Sequence, residues 1–306
     1  MELEFHAPEI AEKDRYGSFY SATPQRSSDF SVVNIYAWSE YGKYEWAFTE
    51  HICWLRLNYP DHQYWAPVGD WTRVNWKKEL RNLFPGGITF RRVPDRLAII
   101  LRDSLGEDLE IIEDRNEWEY VYSVPHLIAL RGNSYHGKKN LLNQFITSYS
   151  HEYEEISEKN LEEILLMQKE WCSWKRCDGS KGLKTEHDAI IRTLGNWKEF
   201  DNIMGGLIRV DGKIVAYTIG EKIDPSMLVI HYEKGITDFR GIYQAMNQFF
   251  LSRSAVDFKW VNREQDVGSP GLRRAKLSYH PDHFVKKYIL TWKPSGWEHG
   301  GPVTGM

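Results

Sequence analysis

Two kinds of hydrophobic pattern alternate along the chain. Apolar residues three or four positions apart predict helices, and short apolar or alternating runs predict strands. In the first half, helices are predicted over 71–84 and 95–105, and strands over 44–57, 63–67, 88–93, 109–112 and 119–122. The run 30–38 is apolar and fits either a strand or a helix. Interleaved strands and helices predict a mixed α/β fold.

The second half has a more regular order of elements. Helices are predicted over 157–177, 186–194 and 239–253, and strands over 206–210, 213–221, 227–232, 258–261 and 284–292. Asp211-Gly212, between two of these strands, is typical of a hairpin turn. A short basic helix is expected between the last two strands. The order is therefore two helices, three strands, a helix, a strand, a short helix and a strand.

The length of the chain and a short internal repeat both suggest two domains. The chain has 306 residues, and a domain commonly has about 150, which predicts an N-terminal half 1–150 and a C-terminal half 151–306. Ser134-Tyr135-His136, followed by two lysines, resembles Ser278-Tyr279-His280, also followed by two lysines. Such a repeat predicts two related halves.

Composition excludes several classes of protein. The chain is 42% hydrophobic with a net charge of −4, so a nucleic-acid partner would need a local basic patch. No apolar run approaches the ~20 residues of a membrane span, and the N-terminus lacks a signal-peptide pattern. The three cysteines make neither a disulfide framework nor a zinc-ligand spacing. We expect a soluble cytoplasmic protein without a metal site.

Acidic and basic side chains that could form a site are concentrated in the stretch 257–290. Glu264 and Asp266 follow a predicted strand, at the edge where open sheets place their sites. A glycine-rich turn then leads to Arg273 and Lys276 on the basic helix. The two acids could act as a base or bind a substrate ammonium, and the two cations could hold a phosphate or the 3′ end of a tRNA. The alternative is a structural ion-pair cluster on the surface.

The order of the second half resembles the GNAT-type acyltransferase fold. The pattern Asn-Arg-Glu-x-Asp-x-Gly-x-x-Gly-Leu-Arg-x-x-Lys-x-x-Tyr-x-Pro at 262–281 and the run 120–145 further resemble the phosphatidylglycerol lysyltransferase C-terminal domain family (DUF2156). The resemblance implies two GNAT-like halves packed together. In membrane-bound relatives this domain moves an aminoacyl group from aminoacyl-tRNA to a lipid hydroxyl. Lys276 and Tyr279 match a lysine and an aromatic residue of the family's motif.

The resemblance also places a donor cleft between strands 227–232 and 258–261. His231 and Glu233 end the first of these strands and are candidate proton acceptors, although a structural role is the alternative. Arg240 and Gly241 begin the next helix and make only part of a coenzyme A phosphate loop, and Asp238 beside them would repel a phosphate. An ordinary capped helix is the alternative there.

These features predict a soluble acyl- or aminoacyl-transferase. It would move an activated acyl group, with aminoacyl-tRNA or acetyl-CoA as possible donors, to an amine or hydroxyl of a small molecule or lipid headgroup. No cofactor is assigned. The alternatives are a coenzyme A-dependent N-acetyltransferase and a binding or regulatory protein of the same fold whose catalytic site has decayed.

Overall fold

The computed structural model describes residues 2–294, which fall into two compact units. Within the described residues, unit 1 comprises 2–27, 39–117 and 285–294, and unit 2 comprises Ser28–Trp38 and Trp118–Phe284. The units therefore do not divide the chain at residue 150, because residues 118–150 belong to unit 2. Residues 295–306, the end of the predicted second domain, lie outside the described part.

Unit 1 is built on a seven-stranded mixed sheet. The strand order is β1-β2-β3-β5-β14-β6, with β4 paired to β2. Its strands are β1 (Tyr44–Phe48), β2 (Ile52–Leu57), β3 (Gln63–Trp65), β4 (Val68–Gly69), β5 (Ile88–Pro94), β6 (Leu109–Glu113) and β14 (Lys287–Trp292). Its helices are α1 (Lys13–Ala22), α3 (Trp76–Leu83) and α4 (Asp95–Leu105).

Two sequence predictions in unit 1 need correction. The single strand predicted over 44–57 is a hairpin, because Thr49 turns the chain with a 2.8 Å backbone hydrogen bond to Ile52. The helix predicted from residue 71 starts at Trp76. Its N-cap is Asn75, whose side chain accepts from the amide of Lys78, while Asp70 caps only a short 3-10 turn.

Unit 2 contains the second mixed sheet, also of seven strands, in the order β13-β7-β12-β11-β10-β9-β8. Its strands are β7 (Glu119–Ser123), β8 (His151–Glu155), β9 (Ile203–Val210), β10 (Lys213–Asp224), β11 (Met227–Gly235), β12 (Trp260–Asn262) and β13 (His283–Val285). The helices are α5 (Val124–Ala129), α6 (His136–Ser148), α7 (Leu161–Trp174), α8 (Lys181–Gly195), α9 (Ile242–Arg253) and α10 (Pro270–Leu277). Helix α2 (Val32–Gly42) begins in unit 2, and its residues from Ser39 onward belong to unit 1.

The predictions for unit 2 are mostly confirmed. The ambiguous run 30–38 is helical, and the helix predicted from residue 186 begins earlier, at Lys181, where Ser180 caps it. The strand predicted over 284–292 is two strands that join different sheets. A disulfide that the cysteine spacing did not predict joins Cys172, in the last turn of α7, to Cys177.

Both faces of the unit 2 sheet are covered by apolar side chains. Neighbouring residues of β9 show this directly, since Leu207 belongs to one buried cluster and Ile208 to the other. One cluster contains Phe250 of α9, and the other contains Ile164 of α7 and Ile190 of α8. A central sheet that is buried on both faces exposes its chemistry at strand ends.

Candidate active site

The site forms where β11 and β12 stop pairing. These parallel strands are paired only from Met227 to Val229, opposite Trp260–Asn262, although β11 continues to Gly235. Beyond that point side chains bridge the strands. His231 contacts Glu264 at 2.9 Å, and Glu233 contacts Arg263 at 3.1 Å. The predicted cleft between these strands therefore contains two charged pairs.

One carboxylate oxygen of Glu264 is held by hydrogen bonds, and the other is not. Its Oε1 accepts hydrogen bonds from Asn34 Nδ2 and His231 Nδ1, both at 2.9 Å. Among residues 2–294, Oε2 has no hydrogen-bond partner, and the side chain is 21% exposed. The backbone is left-handed, with φ +57°, and its amide donates to Asn262 Oδ1 at 2.8 Å. The carboxylate is thus oriented and reachable.

His231 holds this carboxylate as a buried cation. Its side chain is fully buried, and Nε2 lies 3.0 Å from Glu221 Oε2 while Nδ1 contacts Glu264. Burial alone would lower the pKa of His231, but hydrogen bonds to Glu221 and Glu264 outweigh it and raise the pKa to about 9. A protonated imidazole with both nitrogens engaged does not accept a proton at neutral pH, so this geometry favours a positioning role over the predicted catalytic one.

The free energy of unfolding is expected to fall as pH rises from 6.5, because of His231. Its pKa rises from 6.5 to about 9 on folding, so this contribution is complete below pH 6.5 and lost as pH rises through about 9. The expected loss between pH 6.5 and about 8 is roughly 1–2 kcal/mol. Urea titrations at several pH values in this range give the free energy of unfolding at each pH. That free energy should fall less steeply with pH in His231→Gln than in the wild type. Equal slopes in both proteins would contradict the raised pKa.

Lys276 fastens the loop that carries Glu264. Its Nζ donates to three consecutive backbone carbonyls, those of Arg263, Glu264 (3.1 Å) and Gln265 (2.6 Å). Burial lowers the pKa of Lys276 to about 8. Because its donors are directed at the backbone, the geometry favours a structural role over the predicted binding of a substrate.

Asp266 and Arg273 form a second fastening. Arg273 contacts both oxygens of Asp266 at 2.8 Å, and Tyr120 Oη and the amide of Gly268 also donate to this carboxylate. Burial raises the pKa of Asp266, but these hydrogen bonds outweigh it and lower the pKa to about 2. The Asp266 side chain is fully buried. It therefore joins the loop to α10 as a permanent anion, which does not suit a base.

Glu233, Arg263 and Tyr279 form a further group of contacting side chains. The guanidinium carbon of Arg263 is 5.1 Å from the centre of the Tyr279 ring, and Gln244 donates to the Tyr279 hydroxyl at 3.2 Å. Burial raises the pKa of Glu233, although Arg263 opposes the shift. Oε2 of Glu233 and the amide nitrogen of Asn247 are both buried without a well-formed hydrogen bond to any described residue.

Arg240 and Gly241 lie at the start of α9, and none of their described contacts involves the other predicted site residues. Gly241 has φ +89°, and a Cβ there would be 2.1 Å from the carbonyl oxygen of Leu141. The backbone amide of Arg240 donates to Tyr149 Oη at 3.3 Å. The helix start is therefore packed closely against α6 and has one amide already in use.

Sequence reasoning missed several residues that build the site. Arg263 is adjacent to Glu264 in the motif and could have been included for that reason. Glu221 is an acid that directly follows a largely apolar run in β10, which is a usable signal. Asn34 and Glu119 gave no signal. Glu119 is buried and accepts from Ser28 and Asn262, which orients the residue before the loop. Within residues 2–294, no group of His, Cys, Asp or Glu has a metal-binding arrangement.

Comparison with known proteins identifies the family. The model of the family described as "Phosphatidylglycerol lysyltransferase, C-terminal" matches residues 20–291. The chain belongs to this family. Its fold is the mixed α/β fold that the sequence predicted. Family and fold together support an acyltransferase.

Solved structures share this fold. A conserved protein of unknown function from Bacteroides thetaiotaomicron is 29% identical with a TM-score of 0.85, covering 95% of this chain and all (100%) of that one. The C-terminal domain of a protein described as a lysylphosphatidylglycerol synthetase from Agrobacterium fabrum has 13% identity, a TM-score of 0.64 and 94% coverage of both chains. L-PGS from Bacillus licheniformis has 11% identity and a TM-score of 0.62, with 92% and 91% coverage. This lysyltransferase-family chain has no helix within residues 2–294 that could span a membrane.

Proposed function

We propose that the protein transfers an aminoacyl group from an activated ester, with aminoacyl-tRNA as donor, to a hydroxyl or amine of a small-molecule or lipid-headgroup acceptor. The observation that carries this proposal is the Glu264 carboxylate, held at the β11–β12 gap by Asn34 and His231 with one oxygen left to a substrate. The names of the two synthetase structures support the choice of an aminoacyl donor.

The proposed reaction needs one proton relay. The oxygen or nitrogen of the acceptor's hydroxyl or neutral amine bonds to the ester carbonyl carbon. As this bond forms, Glu264 Oε2 takes the proton from that oxygen or nitrogen. The resulting tetrahedral oxyanion collapses and breaks the bond to the ribose oxygen. Glu264 then returns the proton to that leaving oxygen. The contact of His231 with Oε1 and the loop that Lys276 holds together fix the position of the Glu264 carboxylate.

Coenzyme A is a poorer donor for this site. Phosphate binding at a helix start requires free backbone amides and room for close approach. At the start of α9 the amide of Arg240 donates to Tyr149, the amide of Ile242 donates to the carbonyl of Phe239, and Gly241 lies against Leu141. These contacts support an ester donor over a coenzyme A thioester.

A transfer assay tests the proposal. Purified protein is incubated with total tRNA charged with labelled amino acids, or with labelled acetyl-CoA. Phosphatidylglycerol vesicles are the acceptor in one arm, and glycerol and simple amines are the acceptors in another. We expect a labelled aminoacyl product in at least one acceptor arm and none from acetyl-CoA. Product from acetyl-CoA alone would favour an N-acetyltransferase, and no product from any donor would favour a decayed site.

A further inference from the structure

Two cations share one buried aromatic ring beside the β11–β12 gap. Lys138 Nζ, on α6, lies 4.1 Å from the centre of the Tyr279 ring, and the guanidinium carbon of Arg263 lies 5.1 Å from it. Tyr279 is only 7% exposed. Its backbone carbonyl accepts from Tyr135 Oη at 3.0 Å, and Gln244 holds its hydroxyl. The ring is therefore a fixed support for both cations.

The two cations differ in whether they have an acidic partner. Glu233 pairs with Arg263 at 3.1 Å. Lys138 Nζ, by contrast, makes no hydrogen bond or ion pair to any residue in the described range, although the side chain is half-buried. Burial and, secondly, the charge of Arg263 lower the pKa of Lys138, which shows that the ammonium is disfavoured by its surroundings. Because Arg263 is paired with Glu233, Lys138 leaves a single positive charge without a paired acid among residues 2–294.

We infer that Lys138, supported by the Tyr279 ring and Arg263, binds a singly charged oxyanion of the substrate, either a phosphodiester or a carboxylate. An ammonium lying over a ring directs its remaining N–H donors away from the ring, and charged oxygens are their strongest acceptors. The single positive charge matches a monoanion better than a pyrophosphate. As a substrate subsite this inference rests on the proposed transferase function, but anion binding itself can be measured without turnover.

The test uses simple anions as probes. Protein labelled with carbon-13 lysine is titrated with dimethyl phosphate, acetate or pyrophosphate, and the Lys138 resonance is assigned from the spectrum of Lys138→Gln. We expect a saturable shift of this resonance in the wild type with dimethyl phosphate or acetate. Calorimetric titration of each variant with the same anions should show binding about tenfold or more weaker in Lys138→Gln. A stronger response to dimethyl phosphate identifies a phosphodiester ligand, and a stronger response to acetate identifies a carboxylate.

Lys139→Gln is the matched control, because Lys139 is the exposed next residue of α6. It removes the same charge and should leave probe binding unchanged, while Lys138→Arg should retain it. Three results would overturn the inference: no saturable shift with either monoanion, tighter binding of pyrophosphate than of both monoanions, or equal weakening in Lys138→Gln and Lys139→Gln. Probe binding without aminoacyl transfer would keep the anion site and reject the transferase proposal.

Discussion

Replacing Lys276 by methionine is expected to lower the free energy of unfolding by about 2–4 kcal/mol, because three carbonyls lose their shared donor. Methionine retains the length of the side chain and removes only the ammonium. The carbonyls of Arg263, Glu264 and Gln265 converge on Nζ, so their dipoles repel one another once it is gone. The melting temperature should fall by roughly 5–10 °C.

Arg274→Met is the control for this change. Arg274 is exposed on the same helix, and its removal should shift the free energy of unfolding by less than about 0.5 kcal/mol. Thermal and urea unfolding of the two variants, side by side, measure the difference. Equal melting temperatures for Lys276→Met and the wild type would show that Nζ does not fasten the loop. Lys276 would then become a candidate for binding substrate again.

The local geometry of the loop could be predicted from the sequence. The glycine-rich turn and the basic helix after the strand implied that acids and cations would meet, and Asp266 does meet Arg273. The pattern could not predict which of these charged side chains would be paired within the fold and which would stay accessible to a substrate. That depends on burial, since Asp266 is fully covered while Glu264 retains 21% exposure.

The partners of Glu264 could not be predicted, because they come from distant parts of the chain. Asn34 precedes Glu264 by 230 residues, and Glu221 reaches the same site through His231. The spacing of apolar residues in one sequence indicates which face of a helix or strand is buried. It does not indicate which helices and strands pack against each other. The prediction that His231 ends its strand was wrong, because β11 continues to Gly235 and His231 lies within it, just beyond the part paired with β12. Both of its ring nitrogens contact carboxylates, which favours a positioning role.

The repeated Ser-Tyr-His motif is a further case. The sequence suggested two equivalent units, and the two motifs contact each other. Tyr135 Oη donates to the carbonyl of Tyr279, and the Tyr135 ring meets His280 edge-on at 5.3 Å. The expectation that the two halves of the chain superpose stays a prediction.

Replacing Glu264 by glutamine is expected to reduce the rate of aminoacyl transfer by about 10²–10⁴-fold, the usual contribution of a general base. Glutamine keeps an oxygen that can accept from Asn34 and His231, so the loop should remain in place. It cannot take up a proton. Binding of the donor should change little, since the proton is moved only during the chemical step.

Glu152→Gln provides the matched control, because it removes one exposed carboxylate from the same unit. It should transfer at the wild-type rate.

Hydroxylamine as the acceptor distinguishes a base from a residue that binds substrate, since hydroxylamine attacks esters without help from a base. If Glu264 acts as the base, hydroxylamine should restore most of the rate lost in Glu264→Gln. If Glu264 instead binds a substrate ammonium, hydroxylamine should restore little.

The most direct test is the single-turnover rate of aminoacyl transfer by wild-type protein and Glu264→Gln, with the donor and acceptor found in the transfer assay. The predicted result is a loss of about 10²–10⁴-fold in Glu264→Gln, with donor affinity and melting temperature close to those of the wild type. A rate within a few-fold of the wild type would contradict the assignment of Glu264 as the base of an aminoacyl transfer.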